Sequence, residues 1–217
     1  MTPLRKLLAR NTHLTLRDRF TLFYRNNFWG DLESRSGKGS RRGSGTVEAA
    51  LNALRMTVSE HGVTTMADIP CGDFNWMPLF LDAAPFVTYQ GFDIVPDIIA
   101  ENRRRYPTRR FEELDITREV PPRADLIFCK DLLNHLTFLD VRAAFENMRR
   151  SGARLLLASN NFDHANVDLP SLSRRRSRLL DITLPPLNAP PPIWKTHYLG
   201  LWRLADFPNI ATGQPKG

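Results

Sequence analysis

The sequence predicts an α/β protein, a three-layer sandwich whose mostly parallel sheet is covered by helices on both faces. Three observations predict it. Segments that read as strands alternate with segments whose apolar residues recur at helical spacing. One strand segment, 124–129, carries no charge after Asp125, as expected of a strand buried on both faces. The chain has 217 residues with 42% hydrophobic and 24% charged content, enough for one domain with a sizeable core. Strands alternating with helices build such a sheet because parallel neighbours need a crossover between them.

The elements follow in order. Residues 3–28 place Leu4, Leu7, Leu8, Phe20, Phe23 and Tyr24 among arginines, which predicts an amphipathic helix in an N-terminal arm. The aromatic end of that arm, 20–29, is suited to dock on a core. The stretch 34–45 is rich in Gly and Ser and reads as a flexible linker or a basic loop that closes over an anionic ligand. It is not a phosphate-binding Walker loop, because Leu32 and Gly39 stand where that motif needs Gly and Ser/Thr. Thr46 can cap a helix over 47–60, where Val47, Leu51, Leu54 and Val58 share a face and Gly62 stops it. Strands are expected at 64–69 and 86–92. Pro96 opens a helix that runs to Arg105. Strands at 110–114 and 124–129 come next, then a helical stripe of Phe138, Val141, Phe145 and Met148 ended by Ser151 and Gly152. A strand at 155–159 follows. Residues 162–195 are rich in Pro and Arg and read as an irregular insertion, since their prolines exclude a continuous helix. Residues 196–204 read as a last strand. The domain division is therefore an arm at 1–45 and a body at 46–217.

The charge is unevenly spread. The net +7 and the pI near 9.9 arise from residues 1–45, which hold ten basic and three acidic side chains; the remainder holds twenty of each. A basic arm suits nucleic acid, an acidic membrane surface or an anionic substrate. No stretch approaches the roughly 20 apolar residues of a spanning helix. The two cysteines, Cys71 and Cys129, make neither a disulfide framework nor a metal-ligand cluster, so a reducing, cytoplasmic setting and no metal are expected.

Ligands of open α/β sheets bind outside the carboxyl ends of the strands, so the strand ends were read for chemistry. The first ends in Asp68-Ile69-Pro70-Cys71-Gly72-Asp73-Phe74-Asn75-Trp76, a turn in which Gly72 would let backbone approach a ligand. The second ends in Gly91-Phe92-Asp93, a carboxylate roughly 20 residues after the glycine turn, as in ribose-binding nucleotide sites. The third ends in Leu114-Asp115-Ile116. The fourth runs from Phe128 through Cys129, Lys130 and Asp131 to Asn134-His135-Leu136. An N-cap at Asp131 and a helix-face histidine at His135 would explain the last of these without chemistry.

Taken together, these four segments resemble the class I S-adenosylmethionine-dependent methyltransferases over roughly residues 46–160. The wording Pro70-Cys71-Gly72-Asp73-Phe74-Asn75-Trp76-Met77 is similar to a bacterial branch of that family, as are Ser36–Ser40, Pro185–Pro190 and Leu199–Trp202. Pro70 and Phe74 occupy the outer glycine positions of the family's commoner first loop. The resemblance implies a Rossmann-like methyltransferase sheet of seven strands, six parallel and the last antiparallel, with 196–204 as that last strand. It implies S-adenosyl-L-methionine as cofactor. Asp68, Pro70, Cys71, Gly72 and Asp73 would shape the first loop against the methionine part. Asp93 with Ile94 would take the ribose, Asp115 with Ile116 the adenine, and Cys129 and Lys130 would line the wall near the sulfonium.

The expected reaction is O-methylation of a small-molecule or sugar acceptor. An imidazole suits proton removal near neutral pH, which nominates His135 as general base. Asp131 is the other candidate, or the group that orients His135. The alternatives are an RNA methyltransferase that uses the basic arm and a non-catalytic S-adenosylmethionine-binding protein.

Overall fold

The structure, a computed structural model, describes residues 14–169 and 177–208. Leu4, Leu7 and Leu8 of the arm and the arginine run 174–176 lie outside the described residues.

Seven strands form one sheet: β1 (Thr65–Asp68), β2 (Thr88–Asp93), β3 (Arg110–Glu113), β4 (Leu126–Cys129), β5 (Leu155–Ser159), β6 (Trp194–Lys195) and β7 (Leu199–Arg203). Their spatial order is β3-β2-β1-β4-β5-β7-β6. The first five pair in parallel, and β7 is antiparallel to both β5 and β6. So β7 alone among the described strands is reversed. Asp125 fixes the start of β4 against β1: one of its carboxylate oxygens accepts the N–H and hydroxyl of both Thr64 and Thr65 at 2.9–3.1 Å.

Five helices accompany the sheet: α1 (Leu16–Arg25), α2 (Gly45–His61), α3 (Met77–Ala83), α4 (Pro96–Arg105) and α5 (Phe138–Arg150). α4 begins at the expected proline, whose missing N–H would be unpaired there in any case. α2 ends at Gly62 in the left-handed conformation, φ +59°. Its cap is Ser44, which accepts from Val47 N–H, and not Thr46. The Thr46 hydroxyl instead donates to the Gly39 carbonyl at 3.0 Å.

Strand alternation sorts the buried side chains into two cores. Ala67, Phe92, Ile127, Cys129, Leu156 and Trp202 pack with α1 and α5 on one face. Met66, Tyr89, Leu126, Phe128, Leu155 and Leu201 pack with α2 and α3 on the other. α4 serves both, since Ile98 joins the first core and Ile99 the second. The period-two alternation that divides the cores is the geometric signature of the strand itself. This is the three-layer arrangement that the element order predicts.

The arm packs on the body. α1 carries a capping box, with Thr15 accepting from Asp18 N–H at 3.1 Å and Asp18 accepting from Thr15 N–H at 3.0 Å. Its Phe20, Phe23 and Tyr24 are buried in the first core, each contributing roughly 1.5–3 kcal/mol for an aromatic side chain taken from water. No helix among the described residues is long and apolar enough to cross a membrane.

Candidate functional site

The strand order reverses between β1 and β4, and a cavity of about 400 Å³ opens outside the carboxyl ends of β1, β2 and β4. Its walls bring together Asp68, Pro70, Cys71 and Gly72 from the first segment, Asp93 and Ile94 from the second, and Lys130, Asp131 and His135 from the fourth. Asp73, Asp115, Ile116 and Cys129 do not line it. Phe20 and Tyr24 of α1, Trp29 and the loop 35–40 close it from above.

The glycine turn is built for close approach. Gly72 has φ +53°, and a Cβ there would lie 2.5 Å from Ser36 Oγ. Its N–H donates to Asp93 Oδ2 at 3.2 Å, and Val95 N–H donates to Asp93 Oδ1 at 3.0 Å. The Asp93 carboxylate thus ties the loops after β1 and β2 together. Burial pushes its pKa up to about 6, against the opposing pull of these N–H groups. Burial pushes Asp68 further, to about 8, with Asp93 adding to the shift while the Tyr89 hydroxyl, donating at 2.8 Å, and Lys130 oppose it. Burial also pushes both cysteine thiols up, so Cys71 and Cys129 are buried fillers rather than nucleophiles.

A second network stands at the β4 end. Lys130, almost wholly buried, donates to Asp131 Oδ2 at 2.6 Å and to the Gly39 carbonyl at 2.8 Å. The Tyr198 hydroxyl donates to the other Asp131 oxygen. Asp131 N–H donates to Ser159 Oγ at 2.8 Å. So Asp131 faces Lys130 and Tyr198, and the pair binds the loop 36–40 to the tip of β4. His135 lies in the short helical turn Leu133–His135, with Phe20 and Trp29 edge-on at 6.2 and 6.0 Å between ring centroids. The His135 carbonyl accepts from Arg19 at 3.3 Å.

Asp73, Asp115 and Ile116 are engaged locally. Asp73 accepts from Ser34 Oγ at 3.1 Å and Arg35 N–H at 2.9 Å, and its own N–H donates to Ser36 Oγ at 3.0 Å. It anchors the loop above the glycine turn. Asp115 accepts from the Thr117 N–H and hydroxyl at 3.0 and 2.6 Å, the Asx-turn habit of a short carboxylate. The Ile116 carbonyl accepts from Asn147 at 2.8 Å.

Sequence reasoning missed two residues of the site. Asn134 lines the cavity with a buried Oδ1 that no donor among the described residues reaches. The signal was adjacent, since Asn134 lies between the nominated Asp131 and His135. Tyr198 was read only as part of a strand, and nothing local marks its bond to Asp131.

The fold is similar to that of solved methyltransferases. It aligns over 90% of its length with 61% of human N-acetylserotonin methyltransferase, solved in complex with SAM, at a TM-score of 0.63 and 15% identity. It aligns over 65% of its length with 74% of the N-methyltransferase NodS from Bradyrhizobium japonicum WM9, solved with S-adenosyl-L-homocysteine, at 0.52 and 18%. At these identities the likeness is one of fold: a Rossmann-like methyltransferase sheet. No family model matches the chain, and no curated protein matches it.

Proposed function

We propose that this chain is an S-adenosylmethionine-dependent methyltransferase that methylates an oxygen of a small-molecule or sugar acceptor. The observation that carries the proposal is the buried Asp93 carboxylate at the tip of β2. It faces a glycine turn of positive φ at the point where the sheet reverses its order. The two neighbours solved with SAM or its demethylated product support the same cofactor here.

The residues fit that group. Gly72 supplies the positive-φ turn, with Ser36 packed where a Cβ would stand, and Asp93 supplies a carboxylate acceptor for hydroxyls. The cavity, at about 400 Å³, lies within the usual range for small-molecule sites. When bound, the cofactor supplies a methyl group already activated on a sulfonium. The chain's own task is to align the acceptor and keep water out. Asp93 and Ile94 hold the ribose. Pro70, Cys71 and Gly72 shape the loop against the methionine part, with Asp68 buried beneath them. The resemblance gives the adenine edge to Asp115 and Ile116, at the next strand tip and outside the lining of this cavity. Lys130 forms the wall at the end of β4, with Cys129 buried in the core behind it. Phe20, Tyr24 and Trp29 roof the cavity.

His135 takes the proton from the acceptor hydroxyl. Asp131, its oxygens facing Lys130 and Tyr198, braces the wall instead of serving as base. Most of the described arm cations bond to the chain itself, as detailed below, which favours a small acceptor over an RNA backbone.

The test is product formation. S-adenosylmethionine is incubated with a panel of sugars and small hydroxylated molecules, and S-adenosylhomocysteine is measured. The proposal expects turnover with a hydroxylated acceptor. It expects His135→Ala to lower kcat by roughly 10²-fold with cofactor affinity unchanged. An unchanged kcat removes His135 as base. Cofactor binding without turnover of any acceptor favours a non-catalytic binding protein.

A further inference from the structure

The described arm cations fall into two groups. Arg17, Arg25 and Arg41 form ion pairs with Glu113, Asp97 and Asp31. Arg42 donates to the Asn75 carbonyl at 2.8 Å, and Arg19 to the His135 carbonyl at 3.3 Å. Arg35 and Lys38 differ. Neither side chain donates a hydrogen bond or forms an ion pair to a described residue, and these two line the cavity. The guanidinium of Arg35 rests over the Tyr24 ring at 5.4 Å, and it acts on Glu101 only through space.

Their backbone is firmly held. Arg35 N–H donates to Asp73 at 2.9 Å, and the Gly39 carbonyl accepts from Lys130 at 2.8 Å. Between these ties Ser36 sits directly on the glycine turn. Two cations with no hydrogen-bond or ion-pair partner for their side chains among the described residues are therefore presented on the wall of a ligand-sized cavity. The acids on that wall do not meet them: Asp131 pairs with Lys130, Asp93 accepts backbone N–H groups, and Asp68 accepts from Tyr89.

We propose that Arg35 and Lys38 form an oxyanion subsite that binds a carboxylate or phosphate group of a molecule held in the cavity. The proposal deepens the methyltransferase reading and rests on it. The oxyanion has two possible sources, the amino-acid carboxylate of the cofactor or an anionic group on the acceptor.

Calorimetry on wild type and the double variant Arg35→Gln/Lys38→Gln separates them. Three probes are used: S-adenosylhomocysteine; 5′-methylthioadenosine, which lacks the amino-acid carboxylate; and inorganic phosphate added to protein saturated with S-adenosylhomocysteine. If the cofactor is the source, S-adenosylhomocysteine binding falls by about tenfold or more in the variant, the scale of a lost charge-assisted hydrogen bond. Methylthioadenosine binding stays unchanged. If the acceptor is the source, both nucleosides bind equally, and phosphate binds wild type but not the variant. The proposal is overturned if the variant matches wild type for every probe, or if methylthioadenosine binding falls as much as S-adenosylhomocysteine binding. If S-adenosylhomocysteine does not bind wild type, the methyltransferase reading fails. Phosphate is then titrated alone: binding that the variant loses keeps the subsite, and its absence removes it.

Discussion

Asp68 holds its proton where an ordinary aspartate would not. Fully desolvated at the end of β1, it has a pKa near 8 in the folded chain, against about 3.9 in an unfolded one. The folded state therefore keeps a proton that the unfolded state releases. The stability this gives is fully present below about pH 4 and is lost progressively as pH rises to about 8. Asp68→Asn keeps an oxygen for the Tyr89 hydroxyl and removes the ionisable group. Urea unfolding should find wild type weakening between pH 6 and 8, and the variant should gain about 1–3 kcal/mol on it at pH 8. Parallel pH profiles would contradict the assignment. Asp93 is shifted less, to about 6, so it is ionised at neutral pH and a strong acceptor for hydroxyls. The same residues show what could be read locally. Asp68, Gly72 and Asp93 follow from strand ends and a glycine turn. Asp73 and Asp131 were nominated by type, but their distant partners, the arm's Arg35 N–H and the Tyr198 hydroxyl just before β7, are beyond the reach of local pattern.

At the scale of elements, the loop 34–45 is a tied structure rather than a free linker. Asp73 holds one end, Lys130 holds Gly39, and Thr46 donates to the same Gly39 carbonyl. That use of Thr46 explains why Ser44 caps α2 in its place. Lys130→Met removes one of the two ties on Gly39. Amide exchange at residues 36–41 should rise by about tenfold, the effect of losing roughly 1.4 kcal/mol of local protection. Exchange in α2 and β5 should hold, and Lys130→Arg should restore much of the protection. A uniform rise across the chain would instead mean general destabilisation. Elements with strong local signals were legible: α4 from Pro96, the end of α2 from Gly62, and β5 at its observed bounds. β6 was not. It is two residues long and follows Pro190-Pro191-Pro192, so no alternation can show. Its place depends on pairing with β7 through the Thr196 turn, where Leu199 N–H donates to Thr196 Oγ1 at 2.9 Å.

For the whole molecule, alternation of strands and helices was enough to predict a parallel sheet with two covered faces, because topology leaves few ways to bury both. The resemblance carried by the strand-end motifs supplied the seven-strand count and the reversed last strand. The excess positive charge changes meaning once folded. In the sequence it is a basic arm; in the structure most of its described arginines are consumed in docking the arm, and Arg35 and Lys38 remain at the cavity. In the proposed function the cavity binds S-adenosylmethionine through Asp93. Calorimetric titration of S-adenosylmethionine into wild type and Asp93→Ala at pH 7.5 tests it most directly. One-site binding to wild type is expected, with at least a tenfold loss in the variant and a thermal melt showing both proteins folded. A folded wild type that takes up no S-adenosylmethionine, or an Asp93→Ala variant that binds it equally well, would contradict it.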